Sequence, residues 1–312
     1  MTNIQYGIRV PAFPVNGSQG QTFTAEIDAT LTAASGKFHS AWVADHFIPW
    51  AGWQDAETDT LECLSSLCYL AGKFPALHFG TIVLCQSYRN PALLAKMGAT
   101  LQLLSGGRFI LGIGAGWKVD EYQAYGYDFP KPAVRIRQLE ETVEIVKRMW
   151  TDTPANFVGK YYRIENALCE PKPTPRPPVM IGGGGEQLTL RVVAKHADWW
   201  NIPGGDAARY AQKLDVLAGH CDAVGRDYNS IRKTWAGETI SVAPNRADAQ
   251  RYADASPFAK GGGMVGTPEE VADQLRAFTA LGVDYFILRF TDFPGTDGPL
   301  LFAEEVMPLL AQ

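Results

Sequence analysis

Short apolar runs rich in β-branched and aromatic residues alternate with segments of helical period along the whole 312-residue chain, and this alternation constrains the fold more than any other feature. Two parallel strands need a crossover of a dozen or more residues between them, usually a helix, so repeated β-then-helix units demand a parallel sheet. Strands are expected at residues 5–10, 40–44, 77–84, 108–113, 179–181, 197–202, 231–242 and 283–290. Most are continuous apolar runs, the pattern of strands covered on both faces. Eight such units predict an α/β fold, one (β/α)8 TIM barrel spanning residues 1–312, with insertions at the rim formed by the carboxyl ends of the strands.

The connecting segments carry their own signals. Ile136, Leu139, Val143, Val146 and Trp150 recur at steps of three and four, with Arg137, Glu140, Glu141, Glu144 and Lys147 between them, which predicts a helix laying one stripe on the barrel. Thr267-Pro268-Glu269-Glu270 places a hydroxyl cap, a proline at the first helical position and a Glu three residues after the cap, so a helix should start at Thr267 and bury Val271, Leu275 and Phe278. The proline-rich run at 170–178 lacks the donors that a helix or an internal strand needs and reads as an extended lead-in to the fifth strand.

Charge and cysteine usage narrow the function. A net charge of -5 with no run of Lys and Arg argues against nucleic acid and anionic membrane surfaces. The first ten residues lack the basic and apolar regions of a signal peptide, and no segment approaches the ~18 apolar residues of a membrane span, so a cytoplasmic location is expected. The five cysteines, Cys63, Cys68, Cys85, Cys169 and Cys221, form no C-x-x-C pair and read as reduced thiols, mostly buried. Cys85 ends an apolar strand and is either a nucleophile or a packing residue. The five histidines have no metal-ligand spacing, so no metal is expected.

In a barrel of this kind ligands sit at the carboxyl ends of the strands, and three junctions there are informative. At 40–53, SAWVADHFIPWAGW, a strand runs into Asp45, His46, Trp50 and Trp53. A histidine at a strand tip exchanges protons near neutral pH, and Asp45 and His46 share one pocket only if the strand ends there. The competing reading is a capped histidine beneath packing tryptophans. At 111–117, LGIGAGW, the glycines fall at 112, 114 and 116 and the dinucleotide fingerprint fails at Trp117. Bare backbone here admits a flat ring or a phosphate, or else makes a tight turn. At 179–187, VMIGGGGEQ, Gly182, Gly183, Gly184 and Gly185 separate a strand from a helix expected to begin near Glu186 or Gln187, a suitable seat for a phosphate at the positive end of a helix dipole. Gly261, Gly262 and Gly263 are either a lid hinge or a solvent loop.

The segments VADHFIPW, FGTIVLCQSYRNPALLAKMGATLQLLSGGRFILGIGAGWKVDEYQAYGYDFP, YYRIENALCEPKPTPRPPVMIGGGGEQLTLRVVAKHADWWN and VGTPEEVADQLRAFTALGVDYFILRF, which cover most of the chain, resemble the luciferase-like monooxygenase superfamily and, within it, the group assigned to the deazaflavin coenzyme F420. The resemblance implies a bacterial luciferase-like barrel with a non-prolyl cis peptide in a strand-three bulge, here between Ile82 and Val83. It also implies a ring lined by Gly114, Ala115 and Gly116, and a cofactor phosphate on Gly182 to Gly185. DHFIPW is similar to the matching stretch of F420-dependent sugar-phosphate and alcohol dehydrogenases, which makes His46 the acid or base and Trp50 a catalytic pocket wall.

By the same likeness Asp45 and Gln187 join the cofactor site. Trp117 stands where those dehydrogenases carry a Glu, and no acid follows the first strand, so the expected substrate is an apolar or aromatic small molecule held by Phe13, Trp50, Trp53 and Trp117 rather than a sugar phosphate. The leading expectation is an F420-dependent oxidoreductase that transfers a hydride. The alternatives are an FMN-dependent monooxygenase fed by a reductase and a non-catalytic flavin-binding protein. Family likeness also implies a homodimer.

Overall fold

The computed structural model describes residues 4–237 and 239–311. Eight parallel strands form the barrel: β1 (Gln5–Val10), β2 (Ser40–Val43), β3 (His78–Thr81, resumed at Leu84–Cys85), β4 (Phe109–Gly114), β5 (Val179–Gly182), β6 (Trp199–Pro203), β7 (Arg232–Ala236) and β8 (Tyr285–Leu288). Each pairs with its sequence neighbours, β8 pairs with β1, and Phe79 opposite Phe109 closes the ring between β3 and β4. Helices cover the outside, and no described helix is long and apolar enough to cross a membrane.

The expected helices form. The segment Pro132–Thr151 buries Leu139, Val143, Val146 and Trp150, and the Trp150 indole donates to the Ala95 carbonyl at 2.8 Å. The helix Pro268–Thr279 starts behind Thr267 with a full capping box, each side chain of Thr267 and Glu270 accepting from the other's backbone amide.

Two expected strands are interrupted. The 77–84 run breaks at the Ile82–Val83 peptide, which is cis. The Thr81 hydroxyl replaces the lost ladder bonds there, accepting from Gly112 N at 2.8 Å and donating to Gly112 O at 2.6 Å. The 231–242 run ends its barrel pairing at Ala236, because at Gly237 the chain folds back so closely that a Cβ would lie 2.4 Å from the Trp235 ring. Glu238, inside that expected strand, lies outside the described residues. The remainder, Ile240–Val242, pairs with Met264–Gly266 as a separate two-stranded parallel sheet. An antiparallel hairpin, Ala155–Val158 with Arg163–Ala167, adds a further insertion that the alternation pattern does not announce.

The amino-terminal end of the barrel is filled by one side chain. Trp42 is fully buried with Ile110, Met180, Tyr285 and Ile287, and its indole occupies space left by glycines on both neighbouring strands. A Cβ at Gly7 or at Gly80 would come within 2.3 Å of that ring. The indole N–H donates to the Ser40 hydroxyl at 2.6 Å, Ser40 bonds the Tyr285 hydroxyl, and His39 Nδ1 lies 2.9 Å from the same hydroxyl. Overpacking a filled core typically costs about 1–3 kcal/mol. Gly80→Ala should therefore lower unfolding free energy by about 2 kcal/mol, read as a lower urea midpoint at unchanged slope. An unshifted midpoint would mean that the indole moves aside freely.

Candidate active site

At the other end, the strand tips are held by a buried ion pair. Asp45 follows β2, and its carboxylate takes both arms of the Arg89 guanidinium at 2.8 and 2.9 Å and the Cys85 backbone amide at 2.9 Å. Arg89 also bonds Glu62, whose carboxylate caps the first turn of the helix Cys63–Lys73. One guanidinium thus joins the end of β2, the resumed part of β3 and a helix start. Both ions are at least nine-tenths buried, and the bidentate geometry offsets their desolvation.

His46, the next residue, meets a second buried carboxylate. Its Nδ1 is 3.0 and 3.2 Å from the two oxygens of Glu121, whose side chain is fully buried. Glu121 Oε1 also accepts from Phe47 N at 2.9 Å and Ile48 N at 3.3 Å, and Oε2 accepts from the Tyr88 hydroxyl at 3.1 Å. Lys118 Nζ lies 3.6 Å away. Burial alone would raise the Glu121 pKa, but the bond to His46 and its charge, then the two amides, hold it below the usual carboxylate value.

These groups face a cavity of about 480 Å³ among the strand tips, within the range of small-molecule sites. Asp45, His46, Trp50, Ile82, Val83, Gly114, Ala115, Gly116, Trp117, Gly182 and Gly183 all line it. The histidine of β2 and the glycines of β5 therefore open onto the same space. Trp117 is 63% exposed at the mouth, and its ring stands edge-on to His46 with centroids 5.7 Å apart. Trp50 is edge-on to His46 at 5.4 Å.

Five expected site residues are not among the lining residues. Phe13 is 4% exposed and packs edge-on to Trp50, and Trp53 meets Trp50 from behind at 4.4 Å, because the chain turns away after residue 50. Both support Trp50. Gly184 is pressed against Ile202, where a Cβ would come within 2.8 Å, and Gly185 sits as close to the Thr189 hydroxyl. Gln187 is exposed in a turn, since the helix begins at Thr189 and not near residue 186. Gly183, whose φ of 135° suits glycine, already donates its amide to Asn201 O at 2.9 Å.

The glycines of 112–116 also serve their neighbours. A Cβ at Gly114 would lie 2.9 Å from Val83, and one at Gly182 3.0 Å from the same side chain, so this pair makes room for the β3 bulge. At Gly116, with φ of 75°, a Cβ would fall 2.1 Å from the Tyr122 hydroxyl. Gly263 lets its strand approach Thr239, and the preceding loop is tied to the 50–53 turn by Lys260 donating to Gly52 O at 2.9 Å. Cys85 is a packing thiol: burial pushes its pKa up to about 11, so it is not a thiolate at neutral pH.

Sequence reading missed Glu121, Lys118, Thr189 and Arg135, which also line the cavity. Asp120 and Glu121 look like ordinary acids in a helix's first turn, and nothing local marks one of them as buried. Arg135 did carry a signal, because it stands four residues before Leu139 on the buried stripe. It is 7% exposed, with its guanidinium over Phe129 at 4.0 Å and one arm on Pro130 O. Its Nε has no hydrogen-bond partner, and no ion pair to it occurs among the described residues.

A family model described as luciferase-like monooxygenase matches residues 4–263. The chain is 27% identical to the F420-dependent glucose-6-phosphate dehydrogenase of Amycolatopsis mediterranei, over 87% of this chain and 90% of that protein. It is also 27% identical to the FMNH2-dependent dimethylsulfone monooxygenase of Pseudomonas putida, over 72% of this chain and 71% of that one. Its backbone is similar to that of an F420-dependent secondary alcohol dehydrogenase solved with an F420-acetone adduct, with a TM-score of 0.83, 20% identity and 99% of both chains covered.

Removing one partner of a buried ion pair costs about 3–5 kcal/mol, because the other charge is left uncompensated. Arg89→Met should lose about that much stability in chemical denaturation at pH 7. A loss below about 1 kcal/mol would show that Asp45 does not depend on this guanidinium.

Proposed function

The chain belongs to the luciferase-like monooxygenase family, and from that premise we propose that it is an F420-dependent oxidoreductase acting on a small organic substrate, with His46 as the proton-transferring group. The observation that carries this reading is that His46 and the β5 glycine end line one cavity. When bound, F420 supplies a two-electron hydride carrier.

The residues present fit a phosphorylated ring cofactor. Arg135 is a cation buried in the cavity wall without an ion pair among the described residues, an arrangement that favours an anion. Thr189, which lines the same cavity, opens a helix whose positive end favours the same charge. Gly183, Thr189 and Arg135 would hold the phosphate, and the bare backbone of Gly114 to Gly116 with Ile82 and Val83 would line the ring. Asp45, spoken for by Arg89, contributes by fixing the β2 tip.

His46 exchanges the proton that accompanies hydride transfer, and Trp50 and Trp117 bound the space beside it. Two aromatic walls favour an apolar or aromatic substrate over a sugar phosphate. The equal identity to an FMNH2-dependent monooxygenase favours a second reading, in which reduced FMN arrives from a reductase. A homodimer is in keeping with the exposed Leu93, Leu103 and Leu104 on the helix Pro91–Leu104.

Fluorescence quenching should give an F420 dissociation constant at least about tenfold below that of FMN, and FMN binding without F420 binding would overturn the cofactor assignment. His46→Ala should slow turnover by ~100-fold or more with cofactor affinity nearly unchanged, as loss of a general acid or base does. Full turnover in that variant would remove His46 from the chemistry.

A further inference from the structure

We infer that Glu121 is the positioning residue of this site, a carboxylate that sets the tautomer of His46 and the course of the loop carrying Trp50. The inference rests on the reading of His46 given above as far as turnover is concerned, but its structural content stands by itself.

A neutral imidazole carries one N–H, and its partner decides which nitrogen keeps it. Glu121 is an acceptor with no proton to give, fully buried, and ringed by the donors Phe47 N, Ile48 N, the Tyr88 hydroxyl and Lys118, which favour its ionised form. At 3.0 Å from such an oxygen, Nδ1 must be the protonated nitrogen. Nε2 is then the bare, basic nitrogen of a ring that lines the cavity. When the ring takes a second proton, the carboxylate is already in place to stabilise the imidazolium.

Both oxygens reach Nδ1, Oε2 at 3.0 Å and Oε1 at 3.2 Å, and they divide the remaining donors between them. Oε1 takes the amides of Phe47 and Ile48, two of the three residues between His46 and Trp50, and so fixes where that loop leaves the strand tip. Oε2 is the closer oxygen to His46 and takes the Tyr88 hydroxyl. Glu121 stands in the helix Val119–Ala124, four residues beyond Trp117.

This division predicts what Glu121→Gln does. The amide oxygen must stay on the Phe47 and Ile48 amides, which puts the side-chain NH2 at the Oε2 position, facing Nδ1. A donor at the nearer position, 3.0 Å from Nδ1, disfavours a proton there and shifts it to Nε2, and the base is lost with little change in shape. Nitrogen-15 NMR of the full-length protein labelled at histidine should show the neutral His46 ring with Nδ1 protonated and Nε2 bare in the wild type, and the reverse in Glu121→Gln.

In the same variant kcat should fall about 100-fold or more while cofactor affinity and KM change less than about threefold. A wild-type ring protonated on Nε2 overturns the inference, and that measurement needs no variant to fold. Retained kcat in a variant whose tautomer has switched also overturns it. If the wild type turns over no substrate with F420, the proposed function fails, yet the tautomer assignment still decides whether Glu121 governs the imidazole.

Discussion

Taking Asp45 out of water is unfavourable by several kcal/mol, and the barrel recovers this only through the paired bonds of Arg89 and the amide of Cys85. The geometry of the strand tips follows from that requirement. Asp45 and His46 follow the end of β2 and both line the cavity, the carboxylate tied to Arg89 and the imidazole to Glu121. Because Arg89 also reaches the cap of the next helix, the two loops and the helix cannot shift independently.

A second device recurs through the barrel: a bulky side chain on one strand fills volume vacated by glycines on others. Trp42 lies between Gly7 and Gly80, Val83 between Gly114 and Gly182, and Tyr122 against Gly116. Interiors pack as densely as organic crystals, so each of these glycines is the complement of a particular ring or branch. Glycine in such places is a statement about the neighbour's shape, and it comes together with space for a ligand only where the neighbour stops short.

This explains which parts of the molecule were legible in the amino-acid order. Strands β1 to β8 were readable because burial on both faces leaves continuous apolar runs, and the helix start at Thr267 because its two bonds are local. His46, Trp50, Trp117 and the 114–116 and 182–183 glycines were placed on one cavity by family resemblance, and they share it in the structure. The misreadings arise from long-range contacts. Glu121 meets His46 across 75 residues, and the wall behind Trp50 is completed by Phe258, which packs on Trp53 from more than 200 residues away. Gly184 and Gly185, expected at the phosphate, lie against Ile202 and Thr189 and are not among the lining residues, and nothing in their own stretch discloses Ile202.

The indole that fills the floor also governs traffic. With Trp42, Tyr285 and Ile287 packed solid at one end of the barrel, the space among the strand tips is closed from beneath, and the exposed Trp117 stands beside it. Whatever settles near Gly183 and whatever settles near His46 therefore share one space. Two occupants of that space are then neighbours, and the order in which they enter and leave it bears on turnover as much as the chemistry does.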